Sequence, residues 1–351
     1  MSSKYVGLVV GSSGIIGTAL VETLFMNPDW SVRALRKSRL EGVKSIDCDL
    51  RDFEATKAAL ASASDTTHVF YAALQTDPDL ARESEINTTM LRNLLDGLKA
   101  VGAPLQRVVH FQGAKVYGVH LGAASSPFYE DDPRHVTANF YYAQEDLLRE
   151  RAATHGLDWS ILRPDVVVGD IAGNPMNIAM VIGVYAALSK QAGIPLRFPG
   201  SVKTYREVFA QMTDAHWLAR ASVWAALAPT ARNEAFNLVG EPFRWERIWE
   251  KIAEKLDMQV AAPQPLSLTK HMSGKAKDWE RLVKTHDLNT LPFDKLVGWP
   301  FGDFVLNTEF DMVSDMNKIR AAGFTEVVNN EHILVDALKW LGEMGFLPVF
   351  N

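Results

Sequence analysis

Residues 5–17 read Tyr5-Val6-Gly7-Leu8-Val9-Val10-Gly11-Ser12-Ser13-Gly14-Ile15-Ile16-Gly17. A short apolar run ends in glycines three residues apart, and Leu20, Val21 and Leu24 then follow at helical spacing. Strand, glycine-rich turn and helix, in that order, are the context in which such a turn cradles a dinucleotide. Gly11 permits the tight turn, Gly14 lets backbone approach a pyrophosphate, and Gly17 lets the helix pack close to the strand. The helix N-terminus offers unpaired N–H groups and a partial positive charge to the phosphates. Gly11, Ser13, Gly14, Ile15 and Ile16 are therefore candidate cofactor contacts.

Moving outward, Trp30 to Leu35 reads as a second strand ending in Arg36-Lys37-Ser38-Arg39. An acid at that strand end would suit the ribose 2′-hydroxyl of NAD, whereas the basic pair Arg36 and Lys37 suits the 2′-phosphate of NADP. A third strand, Ser45 to Cys48, runs into Asp49 and Leu50, placed to accept from the adenine amino group and to cover its ring. A fourth strand from His68 ends in Ala72-Ala73, small enough for the cofactor backbone to pass. Helical spacing follows near Glu85 to Val101, then a fifth strand, Arg107 to Phe111, and a sixth, Trp159 to Pro164, closing the core sheet. Strands alternating with helices of these lengths imply an α/β fold, a Rossmann-like doubly wound parallel sheet. The division expected is an NADP-binding domain over 1–170, to which 196–240 returns in part. A smaller, mostly helical C-terminal substrate lobe would comprise 171–195 and 241–351.

Composition narrows the function classes. With 47% hydrophobic residues the chain has ample material for a core. A formal net charge of -6 without a long basic run argues against nucleic acid as a partner. The single cysteine, Cys48, rules out a disulfide framework and reads as a small core residue in a reducing compartment. The longest apolar stretch, Ile178 to Leu188, is too short for a bilayer, and Met1-Ser2-Ser3-Lys4 leads directly into a strand rather than a signal peptide. A soluble, cytoplasmic protein without membrane partners is expected. His271 and His286 lack companions at ligand spacing, so no metal is assigned.

Two further stretches carry the chemistry. The fifth strand runs into Gln112-Gly113-Ala114-Lys115-Val116-Tyr117-Gly118, and later comes Asn139-Phe140-Tyr141-Tyr142-Ala143-Gln144-Glu145-Asp146. A short-chain dehydrogenase would place a lysine four residues after its tyrosine. Here that place holds Glu145 if Tyr141 is counted and Asp146 if Tyr142 is counted. Lys115 is either a surface lysine or a replacement entering from the end of the fifth strand, and burial decides between these. Both acids read as early helix residues complementing the helix dipole.

These paired motifs resemble the progesterone 5β-reductase/iridoid synthase-like family, an atypical branch of the extended short-chain dehydrogenases. The likeness continues through Leu162-Arg163-Pro164-Asp165, Met176-Asn177, Leu196 to Gly200, Asn233 to Asn237, Trp245 to Trp249 and Asp315 to Lys318, so it spans nearly the whole chain. It implies NADPH-dependent 1,4-reduction of an activated C=C bond in a small enone or enal, with Tyr141 and Lys115 in the active site, and a homodimer. Gln112, Tyr141, Pro164 and Val166 join the candidate cofactor contacts; Tyr117, Tyr142, Asn177 and Tyr205 are candidate substrate contacts. This chain departs from plant members over Val119 to Pro127, and in Asp165-Val166, which replaces a common Gly-Asn pair.

The residues support such a reaction. Hydride addition to the β-carbon develops charge on the carbonyl oxygen, and a phenol aimed there stabilises the enolate. Lys115 nearby would lower the Tyr141 pKa and order the cofactor ribose. Two other functions stay open: an NADP-dependent carbonyl reductase or epimerase, against which the absent Tyr-x-x-x-Lys lysine argues, and a non-catalytic NADP-binding regulator. Trp245 and Trp249, at i, i+4 spacing, read as core, whereas Trp279, Trp299 and Phe301 could wall an apolar pocket.

Overall fold

Alternating side chains of the first strand enter two different cores, and this fixes the layered architecture. The computed structural model describes residues 3–36, 40–289 and 291–349. In chain order come β1 (Tyr5–Val10), α1 (Ile15–Phe25), β2 (Trp30–Leu35), β3 (Lys44–Ile46), α2 (Phe53–Leu60), β4 (His68–Tyr71), α3 (Leu80–Ala100), β5 (Arg107–Phe111), α4 (Phe140–His155) and β6 (Asp158–Arg163). The chain continues through β7 (Val167–Val168), α5 (Ile178–Gln191), β8 (Leu196–Arg197), α6 (Val202–Arg206), β9 (Thr213–Asp214), α7 (Ala215–Leu227), β10 (Glu234–Asn237) and α8 (Trp245–Lys255). Seven strands form one sheet in the order β10-β6-β5-β4-β1-β2-β3, with every pairing parallel. Leu8 and Val10 pack with Val69, Val108 and Ile161 among α2, α3 and α4, while Val9 packs with Phe70, Val109 and Leu162 against α1 and α7. Period-two alternation thus feeds both faces of a doubly covered sheet.

The helices begin where short polar side chains satisfy free N–H groups. Asp52 caps α2, Asp79 caps α3, Asn139 caps α4, and Asp214 caps α7 by accepting from Trp217 N at 2.6 Å. Asp214 is thus a cap, one position outside the helix it supports. α4 ends at Gly156, whose φ of +67° suits glycine. A third core forms around α5, buried over Ile178 to Ser189, which explains its scarcity of charge. α8 and the later helices surround it, and Trp245, Trp249, Trp279 and Trp299 all lie inside. Trp279 and Trp299 are therefore core residues rather than the cavity walls expected of them.

Two further expectations are corrected. β6 does not close the sheet, because β10 pairs along it from Ser160 to Arg163. A strand buried over Trp159 to Arg163 cannot leave one row of backbone groups unpaired. Cys48 lies beyond β3, half-buried, its thiol 3.5 Å from Thr56 Oγ1. Among the described residues no helix is long and apolar enough to cross a membrane.

The tightest backbone approach is at the first turn. Gly11 has φ +82°, and a Cβ there would lie 2.7 Å from the Ala72 carbonyl carbon. Gly11→Ala should therefore lower unfolding stability by about 1–3 kcal/mol or more, measured by urea denaturation.

Candidate active site

The glycine loop turns where β1 ends. Gly14 N donates to Gly11 O at 3.0 Å and Gly14 caps α1; a Cβ on Gly17 would lie 2.2 Å from Gly11 O. Ser12 Oγ donates to Leu35 O at 3.0 Å and Arg36 O at 3.3 Å, tying the loop to the end of β2. Over this platform lies a cavity of about 690 Å³. Gly11, Ser13, Gly14, Arg36, Asp49, Leu50, Ala72 and Ala73 all line it. Ile15 does not; it is 7% exposed and packs in the core beneath, and Ile16 leans on the same core. Lys37 lies outside the described residues. Arg36 takes φ +86°, uncommon away from glycine, while its N–H donates to Ile46 O at 2.8 Å.

The sequence reading missed Arg51, which lines the same cavity. Its guanidinium pairs with Asp49 at 2.7 Å and, with a smaller effect from Arg36, holds that carboxyl down at about 2. Asp49 is thus an acceptor at any ordinary pH. The available signal was a cation two positions after the acid that follows the third strand. Asn174, Pro175 and Met176 close the cavity from the segment before α5.

Asn139 joins the two candidate catalytic stretches. Its Oδ1 accepts from Tyr141 N at 3.0 Å, and its Nδ2 donates to Lys115 O at 2.9 Å. The cap that starts α4 therefore also fixes the turn carrying Lys115. Lys115 itself is exposed, so by burial it is the surface lysine and not a buried replacement, and no carboxylate pairs with it among the described residues. Its charge adds to burial in holding His120 below the usual imidazole value. Of the adjacent tyrosines, Tyr142 is occupied: its hydroxyl donates to Val116 O and accepts from His135 N, and Arg134 covers its ring at 4.8 Å. The Tyr141 hydroxyl has no hydrogen-bond partner among the described residues, and a Cβ on Gly113 would lie 3.3 Å from it. Glycine at 113 keeps space in front of that phenol. Burial, with Glu83 and Asp165 adding to it, holds the Tyr141 phenol well above its ordinary value. This reverses the expected lowering by Lys115, because the groups acting on the phenol are two acids and a low-dielectric surround.

The lysine place after Tyr141 holds a buried polar junction. Glu145 is 4% exposed and meets Arg149 at 2.7 Å, Arg163 at 3.4 Å and Arg134 at 3.5 Å. Gln112 Nε2 donates to it at 3.2 Å, while Gln112 Oε1 accepts from Arg163 Nε at 2.8 Å. Burial alone would raise this carboxyl; Arg149, Arg163 and Gln112 together bring it below its usual value. The helix-dipole account is corrected, since α4 begins at Phe140 and both acids stand beyond its first turn. Exposed Asp146 pairs with Arg134 at 2.8 Å. The Gln112 side chain is thus used inside the fold.

The remaining candidates are equally engaged. Asn177 is fully buried: it caps α5, and its amide donates to Gly169 O and Ile171 O. Tyr205 is 2% exposed beside Phe198. Tyr117 donates to Asn237, accepts from Arg163 and stacks on Phe128 with centroids 4.9 Å apart. Pro164 O lies on the Tyr141 side of Gly113. Val166 has φ +38° and lines a second, small cavity of about 20 Å³ together with Asp165. Elsewhere, the ligand atoms of Glu22, Asp170 and His216 lie within 4.8 Å of one another, and a hydrogen bond to Asp170 raises the imidazole.

A glycine loop after β1, a seven-stranded parallel sheet and a tyrosine opening the helix after β5 define a dinucleotide-binding, Rossmann-type α/β protein. The family model described as a PRISE-like Rossmann-fold domain matches residues 33–337, and the chain belongs to that family. It is 34% identical to a 3-oxo-Delta(4,5)-steroid 5-beta-reductase of Arabidopsis thaliana, over 95% of this chain and 91% of that protein. It is 32% identical to an (S)-8-oxocitronellyl enol synthase of Camptotheca acuminata, over 98% and 93%. Among solved structures, a GDP-L-fucose synthetase from Naegleria fowleri superposes with a TM-score of 0.69 at 16% identity, over 98% of this chain and 95% of that one. RMD from Pseudomonas aeruginosa complexed with NADPH gives 0.67 at 16%, over 98% and 100%. At such identities these structures establish the fold.

Two outcomes follow from the charges. Glu145→Ala leaves buried Arg163 without its carboxylate and should cost about 3–5 kcal/mol in denaturant unfolding. Asp165 is raised to about 6, chiefly by burial. A folded value above the unfolded one means a stabilising contribution that is full below about pH 4 and is lost as pH rises through about 6. Asp165→Asn, neutral throughout, should gain stability over wild type between those limits, by at most about 3 kcal/mol, in thermal melts across pH.

Proposed function

We propose that the protein is an NADPH-dependent ene-reductase that saturates the C=C bond of small enones or enals by 1,4-addition. The observation that carries this reading is the Tyr141 hydroxyl: of two adjacent phenols it alone is unengaged, and Gly113 leaves room before it. The relatives' activities, a steroid 5-beta-reductase and an oxocitronellyl enol synthase, support the same class of chemistry.

The cofactor fits the residues present. The glycine loop offers backbone that a Cβ would block, Arg36 and Arg51 supply cations suited to a 2′-phosphate, and Ala72 and Ala73 leave a smooth passage. When bound, NADPH supplies the hydride. Tyr141 then donates a hydrogen bond to the substrate's carbonyl oxygen as negative charge builds there. A phenol with a raised pKa keeps its proton, so it acts as a donor and the enolate takes its proton at carbon from solvent. Lys115, unpaired by any carboxylate among the described residues, adds positive charge on the adjoining turn. Carbonyl reduction is disfavoured by Glu145, because a buried carboxylate stands where the proton-relaying lysine would be. In this reading residues 1–170 and part of 196–240 serve the cofactor, 171–195 and 241–351 serve the substrate, and the enzyme works as a cytoplasmic homodimer.

Purified protein with NADPH and 2-cyclohexen-1-one, progesterone, an enal and a simple ketone should give saturated carbonyl products by mass spectrometry and NMR. Allylic alcohol with the alkene retained would overturn the reading, and binding without turnover would favour a regulator. Tyr141→Phe should lower kcat roughly a hundredfold with NADPH affinity little changed; the same loss from Tyr142→Phe alone would reassign the donor. Arg36→Ala should weaken NADPH far more than NADH in fluorescence titrations, and equal losses would argue against a 2′-phosphate contact.

A further inference from the structure

The small cavity beside Pro164 contains one acceptor that the fold does not use. Its walls are apolar, including Val166, Val208, Trp245, Phe304 and Met312. Two of its polar side chains are already committed. Gln211 donates to Gly240 O and accepts from Ser314 N, and the Thr308 hydroxyl donates to Phe304 O. Asp165 differs. One of its carboxyl oxygens accepts from Val166 N at 3.0 Å, and the other has no hydrogen-bond partner among the described residues. Val166, whose φ of +38° is unusual, donates this N–H, and both residues line the cavity. Asp165 also lies within electrostatic reach of Tyr141, whose phenol it helps to raise. A Cβ on Gly113 would lie 3.3 Å from the Tyr141 hydroxyl and 3.7 Å from Pro164 O, so the residue next to Asp165 stands beside the phenol. A volume of about 20 Å³ suits one water-sized group.

We propose that Asp165 is a specificity-determining residue that accepts a hydrogen bond from a hydroxyl on the substrate, remote from the reacting carbonyl. The substrate class becomes enones carrying a hydroxyl on an otherwise apolar body; this rests on the ene-reductase reading. A hydroxyl brings one donor and matches the one open oxygen. An ammonium group brings three donors, more than the open carboxyl oxygen and the remaining acceptor capacity of the Thr308 hydroxyl can take among apolar walls, so it fits less well. A methyl ether brings none and leaves the open carboxyl oxygen unpaired, the kind of mismatch by which a site built to hydrogen-bond a hydroxyl rejects its near-isosteres. Phe304 stands at the edge of the cavity with 42% of its surface exposed, so its ring can yield as the hydroxyl end enters.

The test uses ω-hydroxy-3-alken-2-ones of increasing chain length, their methyl ethers and their ω-amino analogues, with full-length enzyme and NADPH. For at least one length the hydroxyl compound should exceed its ether in kcat/KM by roughly tenfold to a hundredfold. At that length Asp165→Leu should bring the ratio to about one, whatever its absolute rate, and Asp165→Asn, which keeps an acceptor, should retain part of the preference. Calorimetric binding of the saturated ω-hydroxy ketone and its ether gives the same comparison without turnover, and it serves if the leucine variant folds poorly. No preference for hydroxyl at any length, an unchanged ratio in Asp165→Leu, or a preference for the amine would overturn the proposal. Failure of the ene-reductase reading is separate: wild type would then leave the unsubstituted enones unreduced.

Discussion

A carboxylate buried among three guanidinium groups holds the catalytic half of this fold in register. Glu145 projects from α4, Arg163 ends β6, and Gln112 follows β5, so their junction ties one helix to two neighbouring strands at the sheet's C-terminal edge. A lone buried carboxylate would be costly, and so would a lone Arg163; each is tolerable because the other is present and hydrogen-bonded. Because Tyr141 sits one helical turn before Glu145, the junction also sets where the phenol stands. The position that would carry a catalytic lysine in a related enzyme has here become structural.

From this anchor the site is assembled by capping. Asn139 starts α4 and in the same act holds the Lys115 turn, so the two candidate catalytic stretches cannot move independently without losing a helix cap. At the other end, close backbone contact does comparable work: Gly11 against Ala72 and Gly17 against Gly11 leave a smooth cradle that any side chain would fill. In the proposed cofactor reading, backbone and the helix N-terminus serve the phosphates and Arg36, Arg51 and Asp49 serve the adenosine end, which puts affinity and cofactor choice on different residues.

Much of this was legible along the chain. The glycine spacing, the strand-end signals and the alternation of elements led to a doubly wound sheet, and the paired motifs led to the family. What failed to show locally was partnership. Glu145 looked like a helix-start acid, because a sequence does not show that Arg163 and Gln112 arrive beside it from two strands. Trp279 and Trp299 looked like cavity walls, because aromatic residues have the same composition in a core as in a pocket. Arg51 escaped notice because its pairing with Asp49 matters only once both face the same cavity.

The sequence by itself determined the fold class, the cofactor cradle and the two candidate tyrosines, since period-two strands, helical spacing and glycine positions are local properties written in neighbouring residues. Only the tertiary structure distinguished the two hydroxyls, Tyr142 engaged and Tyr141 open. It did so because hydrogen-bond satisfaction is a property of the packed neighbourhood: Val116 and His135 arrive from elsewhere to occupy one hydroxyl, and Gly113 withholds a side chain from the other.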